Sequence, residues 1–311
     1  MNTDLCPEAL ELGEVARRKL GAAGGDELAR RVEREPASRR GLIEPVLADL
    51  GAWDLDVRSG PEELEAAAAL CRSAGYWALP YPVAERLCRP RGLGAAGMSV
   101  VAEVAPAAPV AQLDLPWMAV TLDGRRSRAR ARPGEEPVRR SAFVTSLDLE
   151  PLDTGGVADA ALGLVLPCWT LLGMLERALA LTCAHVTTRE QFGQPLAAFQ
   201  GVQFQLTDAE VERAGLEELA KYALWRLEAD AAGSLDDALA LRLAAVEAAE
   251  TVLRVAHQLH GALGFCDEAT LSWVSRSSVP LRRLPFGLSA TRDQLTRRLG
   301  RRGLAGLFGG E

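Results

Sequence analysis

No two cysteines of this 311-residue chain stand in a CxxC spacing; Cys6, Cys71, Cys88, Cys168, Cys183 and Cys266 are scattered along it. Such scatter argues against a structural zinc site and against a disulfide framework, and it fits a reducing cytoplasm. The chain opens Met1-Asn2-Thr3-Asp4, without a basic start and an apolar run, so no secretory signal is expected. Apolar runs stop short of the roughly 20 residues that a membrane span requires. Even the apolar stretch from Ala158 to Leu175 leads straight into Glu176 and Arg177. Positive charge is not in excess either. The net charge is -7 with 25% charged residues, so nucleic acid could be met only through a local basic patch. Arg125-Arg126-Ser127-Arg128-Ala129-Arg130, in a turn-rich segment, and Arg297-Arg298 with Arg301-Arg302, near the C-terminus, both read as solvated charge, and no nucleic-acid partner is expected. One further absence is local: no carboxylate occurs between Glu268 and Asp293.

What is present is helical at both ends. The length and a 48% hydrophobic content suffice for sizeable cores. Residues 1–88 read as an N-terminal helical domain, with Leu28, Val32, Leu42, Val46 and Leu50 at helical spacing within Asp26–Arg34 and Arg39–Leu50. Pro61-Glu62-Glu63 then opens a run to Tyr76 with proline in the favourable first turn. Residues 89–155 read as a short β middle domain, through Ser99–Val101, Trp117–Leu122 and Ala142–Thr145, with a hairpin signal at Asp123-Gly124. Residues 156–311 read as a C-terminal four-helix-type bundle. Its long patterns are Asp159–Val186, Val202–Ala231 and Leu235–Leu263, broken at Gly233-Ser234 and closed by the glycines at 261 and 264. The expected fold is therefore mainly α with a small β middle domain.

Between the first two bundle helices lies Arg189-Glu190-Gln191-Phe192-Gly193-Gln194-Pro195-Leu196, followed by Phe199-Gln200. After the third comes Val255-Ala256-His257-Gln258-Leu259-His260-Gly261-Ala262-Leu263-Gly264-Phe265, and then Asp267–Arg276. These pieces, in this order, resemble the acyl-CoA dehydrogenase family. The likeness is strongest from about Gly163 to Arg276, and Ala48–Trp53 adds a weaker match in the first domain. The resemblance implies FAD as cofactor and α,β-dehydrogenation of an acyl-CoA thioester. It also implies that Arg189, Gln191, Phe192 and Gln200 face the adenosine and pyrophosphate of a flavin held mainly by another subunit, and that Gln258 and Gly261 approach the same cofactor. The chemistry is sensible, since a guanidinium suits a bridging diphosphate and an aromatic face suits adenine. Arg189 has a plainer reading as a cation complementing the dipole at a helix C-terminus. His257 and His260 stand three apart, but no neighbouring carboxylate or cysteine completes a metal set, so no metal is expected.

The chain departs from the family's pattern at the catalytic base. Counted from Gly261, and independently from Arg276, the position of the general-base glutamate falls on Pro285; the alternative position that some members use falls near Gly163. Glu176, farther along that helix, lies within a stretch that reads as structural. The middle segment is short and shows no counterpart of the family's flavin loop. Trp117, the one aromatic to offer beside a flavin ring, reads more readily as strand core. Loss of the base with retention of the turn resembles the non-catalytic subunit of heteromeric bacterial acyl-CoA dehydrogenases of the steroid side-chain type. That resemblance implies a catalytic partner subunit, a shared FAD, an acyl-CoA substrate and an electron-transfer flavoprotein as a possible further partner. Two other readings stay open: a self-sufficient homo-oligomeric flavoenzyme with an unrecognised base, and a degenerate member with a non-redox role.

Overall fold

Helix α1 (Pro7–Ala22), α2 (Gly25–Arg34), α3 (Arg39–Asp49), α4 (Pro61–Tyr76) and the short α5 (Val83–Leu87) form the first part of the chain. The structure is a computed structural model, and it describes residues 3–132, 141–229 and 233–302. Proline takes the first turn of both α1 and α4, where its missing N–H costs nothing, and Glu62 and Glu63 complement the α4 dipole. The helical patterns from Asp26, Arg39 and Pro61 begin within a residue of the observed starts.

The β region holds β1 (Gly97–Val100), β2 (Ala107–Ala108), β3 (Trp117–Val120), β4 (Arg126–Ala131) and β5 (Thr145–Asp153) in the order β1-β3-β4-β5-β2. Only the β1–β3 pair is parallel. The hairpin at Asp123-Gly124 joins β3 to β4, closed by the Gly124 amide on the Thr121 carbonyl at 2.9 Å. Two expectations are corrected here. The stretch Ala142–Thr145 is a turn that reaches strand only at Thr145, and the strand continues to Asp153. The basic run from Arg125 is a strand from Arg126 onward rather than a turn-rich segment, although its outward arginines are solvated as expected, with the Arg125 and Arg128 side chains 51% and 60% exposed. Ser127 and Ala129 point inward from β4, while Arg126, Arg128 and Arg132 pair across to Asp153, Glu150 and Asp148 of β5 at 3.2, 3.7 and 3.0 Å. Opposite charge on the neighbouring strand thus absorbs the positive patch. In the C-terminal basic run Arg298 pairs with Asp236, while the Arg301 and Arg302 side chains lie outside the described residues.

The third part contains α6 (Val157–Thr188), a tight β6–β7 hairpin (Glu190–Gln191, Gln194–Pro195), α7 (Gln200–Glu228) and α8 (Ser234–His260). A 3-10 turn (Gly261–Phe265), α9 (Thr270–Ser277), α10 (Val279–Arg283) and α11 (Leu288–Arg302) follow. The last two expected helices ran past Glu228 and His260, where the observed ones end; Asp230 and Ala231 lie outside the described residues, and at Gly261 a φ of 62° breaks the α-helix. Helix α6 is the axis of the molecule and packs on α4, α7 and α8. By length and composition it could cross a membrane, with a mean hydropathy of 1.6 over its most apolar window. The protein itself buries 72% of that window, which is the signature of a core helix. Where α6 crosses α4 the backbones touch. A Cβ on Gly173 would fall 1.9 Å from the Arg72 carbonyl oxygen, and one on Gly75 would fall 1.9 Å from that of Thr170.

Charge also ties α6 to its neighbours. Glu176 meets Arg17 at 2.7 Å and the Arg72 Nε at 2.6 Å, and Glu217 of α7 joins through Arg72 and Arg213 at 2.7 and 2.6 Å. This four-helix network explains Glu176 as an architectural residue. Asp159, in the first turn of α6, accepts from Arg58 and Arg126 at 2.6 and 2.7 Å, which fastens the first helices and the sheet to the bundle.

Candidate functional site

Two sites emerge, one at an end of the bundle and one inside the molecule. The first is assembled by a ring stack. His185, four residues before Arg189 on α6, lies flat against His260, the last residue of α8, with ring centroids 4.4 Å apart and planes 15° apart. The stack brings the α6–α7 turn and the α8 terminus together, so the segments around Arg189 and Gly261 share one end of the bundle. His257 stacks on Phe265 in the same way, at 4.4 Å and 19°. The three histidines of the chain therefore all lie here. Gly264 fits beneath them because a Cβ there would come within 3.2 Å of His257 Nδ1 and 3.0 Å of His260 Cβ.

Burial lowers the pKa of all three imidazoles. His260 adds to the effect on His185 and His257, while Arg189 and Arg282 add smaller contributions to His185 and His257 respectively. Burial thus favours the neutral form of the stacked rings. His260 Nδ1 donates to the Ala256 carbonyl at 2.9 Å, which fixes its tautomer. Parallel rings direct their nitrogens within parallel planes, so they share no focal point for an ion. Among the described residues no group of three or more His, Cys, Asp or Glu side chains could hold a metal.

The turn itself is short and held by its backbone. The Leu196 amide donates to the Arg189 carbonyl at 2.8 Å, β6 pairs with β7, and Phe192 and Gly193 take φ of 54° and 80° at the tip. A positive φ at phenylalanine is strained, and its ring is 92% exposed, touching Phe199 edge-on at 6.3 Å. Arg189, Gln191 and Gln200 are exposed around it, and Gln258 and Gly261 are exposed at the end of α8. Their side chains make no hydrogen bond or ion pair with other described residues. Gln200 opens α7, so the positive end of that 29-residue helix faces the same way. The arrangement offers a guanidinium, three primary amides, a helix N-terminus and an aromatic ring, and none of the polar side chains is bonded to another described residue. Such a set fits a ligand that combines phosphate with a planar ring. Sequence reasoning singled out six of these residues but not His185, because a stack between residues 75 positions apart leaves no local pattern.

The second site is a partly open cavity of about 100 Å³ lined by all three parts of the chain. Both positions assigned to a base lie in its wall: Gly163 and Pro285. A Cβ at Gly163 would meet Val100 Cγ2 at 2.7 Å, so any side chain there requires Val100 to shift. Leu79, Val83, Val100, Leu164, Met174 and Leu281 are among its apolar lining, and Arg39, Glu85, Ser99, Thr170 and Arg242 are among the polar residues set into it. Burial pushes the Glu85 carboxyl up to about 7, opposed by its own backbone amide and by the Arg39 charge. Burial likewise brings Arg39 down to about 10. Trp117 is not in this wall; it is 5% exposed and sits on the bare Cα of Gly97, which makes it sheet core rather than a ring presented to a ligand.

Residues 165–290 match the model of "Acyl-CoA dehydrogenase, C-terminal domain". Acyl-CoA dehydrogenase FadE28 of Mycobacterium tuberculosis is 35% identical over 92 residues, covering 30% of this chain and 27% of that protein. Acyl-CoA dehydrogenase FadE27 of the same organism is 34% identical over 137 residues, covering 42% and 36%. The alignments thus span only about a quarter to a third of those relatives' length. The fold likeness runs further. A chain of the ChsE4-ChsE5 complex from Mycobacterium tuberculosis superposes with a TM-score of 0.76 at 18% identity, covering 98% of this chain and all of that one.

Proposed function

We propose that this chain, a member of the acyl-CoA dehydrogenase family by its C-terminal bundle and by its fold along its length, is a subunit of an FAD-dependent acyl-CoA dehydrogenase. In this reading it completes the flavin site of a catalytic partner rather than supplying the base. The observation that carries it is a contrast within one molecule. The turn at Arg189–Gln200 keeps its polar and aromatic groups outward and unused, at the expense of strain at Phe192, while neither base position holds a carboxylate. The likeness to a chain from a complex of two differently named proteins supports a hetero-oligomer.

Bound FAD would supply the hydride acceptor for dehydrogenation at the β carbon of the acyl-CoA thioester, and an electron-transfer flavoprotein would take the electrons onward. The tasks of this chain are then binding and orientation. Arg189 offers two parallel N–H donors to a diphosphate, Phe192 covers a planar ring, Gln191, Gln200 and Gln258 donate or accept at its edge, and Gly261 lets backbone approach closely. The proton on the α carbon is removed by a carboxylate that the partner contributes.

Co-expression tests the reading. The chain purified alone is expected to be nearly colourless, and its complex with a catalytic partner yellow, with flavin absorbance that falls on Arg189→Ala. A charged hydrogen bond contributes about 1.5–3 kcal/mol, so flavin affinity should weaken about 10- to 100-fold. Stoichiometric flavin and dehydrogenase turnover in the single chain, or unchanged retention in the Arg189→Ala complex, would refute it.

A further inference from the structure

The ring stack at the end of the bundle is a joint without polar fastening. His185 of α6 and His260 of α8 face each other at 4.4 Å, and His257 repeats the arrangement on Phe265. Among the described residues no hydrogen bond or ion pair crosses from the α6 end and its turn to the α8 end. The turn is bonded within itself and to the start of α7, through the Leu196 amide on the Arg189 carbonyl at 2.8 Å and Gln203 Nε2 on the Ala197 carbonyl at 2.9 Å. The α8 end is likewise bonded within itself, through His260 Nδ1 on the Ala256 carbonyl at 2.9 Å and Cys266 Sγ on the Ala262 carbonyl at 3.4 Å. The facing of two flat rings therefore decides how closely the two ends sit.

The charges that face these rings are all positive. Arg189 of the turn acts on His185, and Arg282 of α10 acts on His257, with its own Nε bonded to the Ser278 hydroxyl at 3.1 Å. Arg283, next along α10, and Arg254 of α8 are exposed. The carboxylates of the surrounding elements are engaged elsewhere: Glu210 of α7 acts on Cys183, Glu250 of α8 acts on Arg282, and Asp267 is paired with Arg276 at 2.8 Å. Glu190 and Glu268 are exposed, and none of these five acids is among the charges acting on a ring. His257 Nδ1 is buried without a partner among the described residues. The rings themselves are only half-buried, so solvent protons reach them.

We infer that the His185–His260 stack is an acid-operated latch: neutral rings close the α6 and α8 ends on each other, and protonated rings part them and free the Arg189 turn from Gly261. The step is the uptake of a proton from solvent by an imidazole nitrogen, which on His260 is Nε2, because Nδ1 already carries one. Like charges held face to face in a partly desolvated place repel, and no carboxylate answers them. Burial first, and then the charges of His260 and Arg189, make the closed form a poorer home for a proton on His185 than the open one. Closure is therefore complete above the ordinary imidazole range and is lost as pH falls below it. The inference rests on the flavin reading only for what opening takes away, the common face of Arg189 and Gly261; the opening itself belongs to the chain alone.

Hydrogen–deuterium exchange of the full chain at about pH 7.5 and about pH 5, with peptides of α4 as the internal scale for the chemical exchange rate, tests it. Peptides covering residues 189–200 and 257–265 are expected to lose protection severalfold in acid relative to α4. His185→Phe keeps a flat ring that takes up no proton and receives a charged His260 on its face, so both peptides should stay protected at both pH values. His185→Ala removes the ring, and the same peptides should be open already at neutral pH. Unchanged protection of wild type in acid, an acid loss in His185→Phe as large as in wild type, or full protection of His185→Ala at neutral pH would overturn the inference. A wild-type chain that opens in acid, in a complex that holds no flavin, would support the latch and refute the flavin reading.

Discussion

A single methyl group at Gly173 should be enough to part the two central helices. The Cβ of Gly173→Ala would lie 1.9 Å from the Arg72 carbonyl oxygen and 2.8 Å from the Tyr76 amide nitrogen, against roughly 3.5 Å for non-bonded atoms in contact. Both obstacles are backbone of α4, so no side chain can rotate aside, and α4 must retreat from α6 by roughly 1.5 Å along its length. Overpacking ordinarily costs about 1–3 kcal/mol, and a rigid obstacle on both sides places this case at or above the upper end. Alanine regains about 1 kcal/mol of helix propensity, leaving a net loss of about 2–3 kcal/mol. For a chain of this size that is a fall in Tm of roughly 3–5 °C, read by far-UV circular dichroism or calorimetry. Gly215→Ala is the control, since it lies inside α7 with nothing within 4 Å of its would-be Cβ, and it should raise Tm slightly through propensity alone. A Gly173→Ala protein that melts within about 1 °C of wild type would refute the reasoning.

Two further outcomes follow from charge. Glu176→Gln removes the negative centre from Arg17 and Arg72 in a network where its own side chain is 13% exposed, so it should cost about 3 kcal/mol in stability while leaving the flavin content of the complex unchanged. An effect on flavin or turnover without loss of stability would mean that Glu176 is not architectural. Glu85 binds its proton more tightly folded than unfolded, with a folded value of about 7 against an ordinary 4.5, so the stability it contributes is fully present below pH 4.5 and is lost as pH rises through 7. Glu85→Gln should therefore gain on wild type across that window by about 1–3 kcal/mol and run parallel to it outside; equal slopes in the two melting series would contradict this.

Much of this architecture was legible in the chain because its signals are local. Proline followed by two glutamates at Pro61 marks a helix start wherever it occurs, and the apolar period of α8 runs unbroken for 27 residues. Strand β4 escaped because its inward residues, Ser127 and Ala129, are small and its outward ones are arginines, so the alternation reads as a charge run until the acids of β5 are set opposite. The site divides along the same line. The turn at Arg189 is contiguous and can be read, as can the spacing to Pro285. The stack of His185 on His260, and the placing of Glu85 in one wall with Gly163 and Pro285, are made only by folding. Glu85 sits on a five-residue helix whose pattern says nothing about a cavity.

One hydrophobic core runs through the molecule from Leu5 on the N-terminal side, through Met98 and Met118 of the sheet, to Val274 in α9. The three segments that differ so clearly in composition are thus not separate thermodynamic bodies. Unfolding any one of them strips the apolar cover from the other two, so the chain should melt in one cooperative transition rather than in three steps. Whatever fills the cavity between them is bound by all three at once, and its binding energy is shared by the whole transition.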